Sequence, residues 1–449
     1  MTKPVQNNSS PATDPSARFT ADQAAQATLL LGQSIDFPQV DQIRHCPKAA
    51  LVIVQGRIAW HGPAAELSVT QQSFATVVDY GNAWIIPGLI DTHVHAAQMP
   101  VIASWGEQLL DWLNRYTFPA ERRFEDPVIA RHQSDVFLDA LLAHGTTTAM
   151  VFGTVHEAAT DALFEAARER RMALIAGKVL MDRNCPDYLS DTVNSGFDAS
   201  ARLIHRWHGT DRLQYAVTPR FAPTSTEAQL ERAGALQQEA RGLYLQTHVS
   251  ENPDEVSWVQ SLFPKSRDYV DVYQHYGLLH ERSVLAHGLH LTDREWTALR
   301  EHQARIAVCP TSNTFLGSGL FDFARAEREG VVLGLASDVG GGTSLSQLVS
   351  AAEAYKVGQL QGYKLTANAL WHQMTAGNAR ALHLDTQIGS LDSGKMADLV
   401  VLDSTRSANL SARLAHANSL EEALFATLIL GDERLTRATW VAGERLYSA

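Results

Sequence analysis

Residues 87–98 read Pro-Gly-Leu-Ile-Asp-Thr-His-Val-His-Ala-Ala-Gln, and the organisation of the whole chain follows from this run. Ile85, Ile86, Leu89 and Ile90 are strand formers interrupted by Pro87 and Gly88, which predicts a short buried strand over 86–90 with His93 and His95 at its end. Side chains two apart on a strand share a face. Two imidazoles on one face are half of a divalent-metal site, because neutral ring nitrogens bind zinc and similar ions at roughly 2.0–2.1 Å. The alternative is a pair of core or solvated histidines, so the motif needs partners elsewhere in the chain.

Outward from this run the chain repeats one rhythm: apolar strand, polar loop, amphipathic helix. Strands are predicted at Ile86–Ile90, Thr146–Phe152, Ala173–Val179, Leu213–Val217, Leu243–Thr247, Ser283–Ala286, Arg305–Cys309 and Val331–Ser337. Alanine-rich helical segments such as Ser134–Ala143, Asp161–Arg170 and Glu227–Glu239 lie between them. Eight strands alternating with helices predict an α/β fold, a (β/α)8 TIM-type barrel whose active site lies at the C-terminal ends of its strands.

The two ends of the chain have a different texture. Thr28-Leu-Leu-Leu, Ala50-Leu-Val-Ile-Val, Arg57-Ile-Ala-Trp-His and Val77-Val-Asp-Tyr read as short hairpin strands, and the pattern returns in Ala397-Asp-Leu-Val-Val-Leu-Asp and Ala438-Thr-Trp-Val-Ala-Gly. Both ends are therefore expected to combine into one small β-sandwich domain. The predicted division is a disordered tail over 1–25, sandwich over 26–86 and 389–449, and barrel over 87–388.

The barrel rule can be tested against the histidines. Four predicted strand ends carry ligand chemistry: His93-Val-His95 on the first strand, Gln246-Thr-His248 on the fifth, Leu285-Ala-His287 on the sixth and Leu335-Ala-Ser-Asp338 on the eighth. Each of these residues alone could be a capping or core group. A closed barrel brings all four strands around one mouth, which points to a single cation site. Three residues beyond His248, in His248-Val-Ser-Glu251, a carboxylate is placed to take a proton from a water that a divalent cation has acidified. The bland reading of Glu251 is a solvent-facing loop residue.

Composition agrees with small-molecule chemistry. The 449 residues are 45% hydrophobic and 19% charged, with a net charge of −12, which argues against a nucleic-acid or anionic-membrane surface. Three cysteines, Cys46, Cys185 and Cys309, are too far apart for a disulfide framework or a Cys-x-x-Cys site, and fit a reducing cytoplasm. No apolar leader opens the chain and no run approaches membrane-spanning length.

Together, Pro87-Gly-Leu-Ile-Asp-Thr-His-Val-His, the later histidines, Asp338 and Gly394-Lys-Met-Ala-Asp-Leu-Val-Val resemble the amidohydrolase superfamily. Within it the chain is similar, from about residue 28 to the end, to the guanine deaminase branch. The runs that carry this are Glu107-Gln-Leu-Leu-Asp-Trp-Leu-Asn, Tyr116-Thr-Phe-Pro-Ala-Glu-Arg-Arg, Gly145-Thr-Thr-Thr-Ala, Val151-Phe-Gly-Thr-Val-His, Gly177-Lys-Val-Leu-Met-Asp-Arg-Asn, Thr218-Pro-Arg-Phe-Ala-Pro-Thr-Ser and Cys309-Pro-Thr-Ser-Asn.

The resemblance implies one zinc ion per chain held by His93, His95, His248, His287 and Asp338, though iron(II) accepts the same ligands. It implies Glu251 as proton shuttle, with Asp338 and His287 assisting catalysis, and Gln98, Arg220, Phe221 and His248 as contacts to a purine. Arg220 can donate to the O6 carbonyl and a ring nitrogen, Gln98 offers donor and acceptor, and Phe221 offers a stacking face. Their bland counterparts are an ion-pair arginine, a surface glutamine and a core phenylalanine. The resemblance further implies deamination of guanine to xanthine and a homodimer. A pterin, triazine or adenosyl-compound deaminase or chlorohydrolase of the same superfamily is the alternative.

Three signals are set aside. Gly389-Ser-Leu-Asp-Ser-Gly394-Lys395 has phosphate-loop spacing, but Met396 replaces the required Ser or Thr. The fourth strand ends in Val217-Thr-Pro-Arg220 with no lysine, which disfavours a two-metal centre and leaves Lys178 as a structural ion-pair residue. Trp105 and Trp112 could line a substrate lid or simply pack a helix, and packing is the preferred reading.

Overall fold

The computed structural model describes residues 21–105 and 108–449. Most of the predicted tail, and Glu107 at the head of one run quoted above, lie outside that range. Ala21–Ala24 form a helical turn with Ala24 buried, so ordered chain reaches back into the stretch read as tail.

Among the described residues, strands β1 (Thr28–Gln39), β2 (Gln42–Val54), β3 (Arg57–Pro63), β4 (Thr76–Pro87), β14 (Leu399–Leu402), β15 (Thr436–Val441) and β16 (Glu444–Ser448) form one continuous sheet in the order β16-β15-β14-β4-β1-β2-β3. Both chain ends contribute to it. β1 runs parallel to β4 and the other neighbours are antiparallel. Alternation splits each strand between two apolar layers. Leu30, Leu51, Ile53, Ile85, Leu399 and Trp440 pack among themselves, whereas Ile35, Phe37, Ile86, Val400 and Val441 join the large core shared with the barrel. Phe37, fully buried and stacked on Trp371 at 5.4 Å, contributes about 1.5–3 kcal/mol by burial of that kind.

The barrel consists of β5 (Leu89–His95), β6 (Thr146–Phe152), β7 (Ala173–Gly177), β9 (Leu213–Pro219), β10 (Tyr244–Val249), β11 (Ser283–His287), β12 (Arg305–Val308) and β13 (Leu333–Leu335), all parallel, with the two-residue β8 (Val179–Leu180) beside β9. Ile90, Met150, Ile175, Ala216, Val284 and Ala307 fill its interior. The helices expected at 134–143, 161–170 and 227–239 run over Pro127–Ala143, Glu157–Glu169 and Glu227–Leu236. Asp126 and Thr226 cap the first and third by accepting from Val128 and Gln229 backbone N–H groups.

Two strands differ from expectation. Ile85 and Ile86 belong to β4 of the other sheet, and the barrel strand starts only at Leu89. Gly88 is the crossing point: its N–H donates to Asp398 O at 2.8 Å, and a Cβ there would lie 2.2 Å from Thr147 Oγ1. The eighth strand is three residues long rather than seven, because the chain beyond it bonds irregularly. Ala336 N–H donates to Val308 O, and Ser337 N–H to the buried Asp91 carboxylate.

Closure between β13 and β5 is what assembles the mouth. Asp338 N–H donates to His93 O and His95 N–H to Val339 O, each at 2.9 Å. Asn378 stitches the same seam, donating from Nδ2 to Ile90 O and Leu335 O while its Oδ1 accepts from Leu335 N–H. The first and last barrel strands thus bring their metal-type side chains into register.

Candidate active site

His93 and His95 end β5, His248 lies near the end of β10, His287 ends β11, and Asp338 follows β13. His287 and Asp338 sit at φ 73° and 51°, left-handed backbone that costs non-glycine residues on the order of 1–3 kcal/mol and clusters at functional sites. Ligand-type atoms of His93, His95, His248 and Asp338 all lie within 4.8 Å of one another, as do those of His93, His287, Cys309 and Asp338. Asp338 Oδ1 is 3.1 Å from His93 Nε2 and 3.3 Å from His95 Nε2, and Asp338 Oδ2 is 3.7 Å from His287 Nε2.

The outer nitrogens of two rings are committed elsewhere. His248 Nδ1 is 2.7 Å from Arg220 O, and His287 Nδ1 is 2.9 Å from Asn313 Oδ1. Because a backbone carbonyl can only accept, the His248 ring carries its proton on Nδ1 and turns an Nε2 lone pair inward, while the Asn313 contact fixes the orientation of the His287 ring. Burial, followed by the neighbouring imidazoles, holds His248 well below the usual histidine range. Burial raises Asp338, but interaction with His93 and His95 outweighs it and holds the carboxyl well below its usual range. His93 Nε2 is buried without a hydrogen-bond partner. Imidazole nitrogens and a carboxylate converging in a buried space, one nitrogen of them orphaned, are the kind of donor set that could hold a divalent cation.

Glu251 stands over this cluster, with Oε2 3.3 Å from His287 Nε2 and only 3% of the residue exposed. Burial, then the charges of Asp338 and Glu255, push its carboxyl well above the usual range. Its backbone N–H donates to Glu255 Oε2 at 2.9 Å, which fixes the loop that carries it. A carboxyl so placed can take up a proton more readily than an exposed glutamate and pass it on.

A pocket opens beside the cluster, and its wall includes His95, His248, Glu251, His287 and Asp338 together with Gln98, Arg220 and Phe221. His93 is not among the residues that line it. Arg220 is ion-paired, as its bland reading had it, but inside the pocket wall: Nη1 donates to Glu121 Oε1 and Oε2 at 3.0 and 2.9 Å. Gln98 is not at the surface; it is 2% exposed and donates from Nε2 to Glu121 Oε1. Phe221 is both core and wall, edge-on to Trp258 at 6.3 Å.

Sequence reading missed several wall residues. Trp112 packs, as expected, but it packs against the pocket, with Leu109 and Leu113. These three belong to one helical segment that runs Leu109–Trp112, a π-turn at Leu113–Thr117, then Phe118–Arg122. Leu109, Leu113, Thr117 and Glu121 are all buried. On a regular helix, steps of four residues drift by about 40° each, and the wider π-turn takes up that drift, so all four stay on the inner face. Ser312 and Asn313 were quoted only within a resemblance run. Ser312 lines the pocket, and its buried Oγ has no partner. Trp105 is 76% exposed, and Lys178 is paired with Asp191 at 2.5 Å as expected.

Residues 84–443 match the amidohydrolase family model. The guanine deaminase of Escherichia coli (strain K12) is 45% identical over 417 residues, 92% of this chain and 95% of that protein. Among solved structures, E. coli guanine deaminase superposes with a TM-score of 0.90 at 42% identity, covering 94% of this chain and 99% of that one. The C. acetobutylicum guanine deaminase with guanine bound in its active site gives 0.86 at 27% identity, covering 94% and 100%.

Proposed function

Because this chain belongs to the amidohydrolase family, we propose that it catalyses hydrolytic deamination of guanine to xanthine and ammonia. The observation that carries this is a pocket whose donor wall, Arg220 and Gln98, shares one cavity with Glu251 and the buried His/Asp cluster. The similarity to guanine deaminases over nine-tenths of the chain selects the purine. His93, His95, His248, His287 and Asp338 would hold one divalent cation, zinc in this reading, with iron(II) as the other ion such ligands accept. That ion, when bound, supplies acidification of the attacking water.

The side chains of the chain do the rest. Phe221 offers a face to the purine ring, Arg220 donates to O6, and Gln98 bonds the adjoining edge. This seats C2 and its exocyclic amine beside Glu251, with His248 against the same end of the ring. Glu251 takes a proton from the attacking water and delivers it to the neighbouring ring nitrogen, then takes the second proton from the new C2 hydroxyl as the intermediate collapses and passes it to the departing amine. Asp338 orients the attacking water by accepting its hydrogen bond, and His287 steadies the oxygen of the tetrahedral intermediate. A C2–O bond forms, the C2–N bond breaks, and one water is consumed for each ammonia released.

We read the enzyme as a cytoplasmic homodimer. Its three cysteines are all free, which supports a reducing compartment, and the dimer follows from the resemblance; sedimentation would test it. The activity itself is tested by following guanine consumption and ammonia release in a spectrophotometric assay, with a pterin and a triazine in parallel. Turnover of either of those in preference to guanine would overturn the substrate assignment.

A further inference from the structure

Glu121 takes no part in the reaction above, yet its 1% exposed carboxylate sits behind both polar side chains of the recognition wall. Its Oε1 accepts from Gln98 Nε2 and from Arg220 Nη1, each at 3.0 Å, and its Oε2 accepts from Arg220 Nη1 at 2.9 Å. A carboxylate paired to arginine can only accept. Gln98 is held at its other end too, because Gly340 N–H donates to Gln98 Oε1 at 3.2 Å. Turning the amide over would set oxygen against the Glu121 carboxylate and NH2 against the Gly340 N–H. The orientation of this amide, a free choice in most glutamines, is therefore fixed from both sides.

We propose that Glu121 is a positioning residue that sets the hydrogen-bond polarity of the recognition wall, and with it the selectivity for a 6-oxo over a 6-amino purine. The inference rests on the guanine reading. With Arg220 clamped, the wall presents donors to position 6 of the ring. A carbonyl oxygen there accepts them, whereas an amino group sets donor against donor in a buried site, and an unpaired buried donor is penalised far more than a lost contact. Glu121→Gln loosens the clamp on Arg220 and supplies a donor of its own, so the Gln98 amide is no longer held from the Glu121 side and keeps only the Gly340 N–H contact.

The test compares guanine with 2,6-diaminopurine. Both carry the 2-amino leaving group, so the same C2–N bond breaks; they differ at position 6 and, with it, at N1, which carries a hydrogen in guanine and a lone pair in 2,6-diaminopurine. The wild-type enzyme should prefer guanine by more than about 100-fold in kcat/KM, as sites built around a hydrogen bond do. Glu121→Gln should cut that preference at least ~10-fold, chiefly by raising KM for guanine, because a lost positioning contact weakens binding and transition state together. Glu121→Asp keeps the charge but retracts it by one methylene, and should fall between the two.

The preference is a ratio taken within each preparation, so a partly unfolded fraction cancels from it. A structural defect alone would lower both activities equally. An unchanged ratio in Glu121→Gln overturns the proposal, and if that variant does not fold, an unchanged ratio in Glu121→Asp does so. Failure of the wild type to release ammonia from guanine would instead sink the functional reading, and this inference with it.

Discussion

His95 Nε2 and His248 Nε2 lie 3.3 Å apart. His248 has given its proton to the Nδ1 side facing Arg220 O, so its Nε2 is a lone pair. Burial lowers His95 to a pKa of about 3, so that ring is neutral and has one proton to place. On Nε2 it would point at the His248 Nε2 lone pair and the Asp338 carboxylate, each 3.3 Å away. A divalent cation would take the place of that proton among the same three groups, and the first prediction follows from it.

The purified protein should carry one divalent ion per chain by elemental analysis, and chelation should lower Tm by several degrees, reversibly. An ion at ~1,000 times its Kd stabilises a fold by about 4 kcal/mol. His248→Ala and Asp338→Asn should lose most of the bound ion. A melting temperature indifferent to chelator would remove the metal centre.

Glu251→Gln keeps the size of the side chain and the backbone contact to Glu255 while deleting the proton relay. Its kcat should drop by about 10²–10⁴-fold, the usual worth of a positioned acid–base group, with ion content unchanged. Turnover within a few-fold of wild type would exclude Glu251 from the mechanism.

Arg220→Ala should act on both binding and folding. KM for guanine rises because the O6 donor is gone, and stability falls because Glu121 is left as an unpaired buried charge, a change that costs about 3–5 kcal/mol in comparable pairs. Urea unfolding and Michaelis kinetics on the same preparation separate the two effects. An unaltered KM would count against Arg220 as a substrate contact.

Stability below neutral pH should depend on His61, whose Nε2 is 2.8 Å from Ser34 Oγ in the small sheet. Burial, then the nearby Arg44 charge, lowers its pKa from 6.5 to about 4. The fold therefore favours the neutral ring. Stability from this source is complete above pH 6.5 and is lost as pH falls from there towards 4, where the folded state too becomes protonated. The separation of the two pKa values bounds the loss at roughly 3 kcal/mol. His61→Gln should flatten the stability curve across that window, and equal slopes in wild type and variant would refute the assignment.

How much of this was legible beforehand depends on how local the signal is. Thr146–Phe152 was marked to the residue because a fully buried parallel strand is a continuous apolar run bounded by turn formers. The five metal-type residues were findable because their chemistry is rare and each lies at or just beyond the C-terminal end of a strand. Trp112 could be read as lining a substrate lid or as packing a helix, and nothing in its neighbours decides that the surface it packs against is a cavity wall. Glu121 was quoted and passed over, since its partners Gln98 and Arg220 are 23 and 99 residues away.

The sequence by itself determined which elements form and which residues can bind a cation or move a proton, because strand alternation, turn chemistry and ligand type are properties of a few neighbouring residues. Tertiary structure decided which of them meet: closure of β13 on β5 brings Asp338 to His93, and the π-turn at 113–117 turns Glu121 inward to hold Gln98 and Arg220. Those outcomes depend on the packing of segments up to two hundred and more residues apart, a distance over which no local pattern carries information.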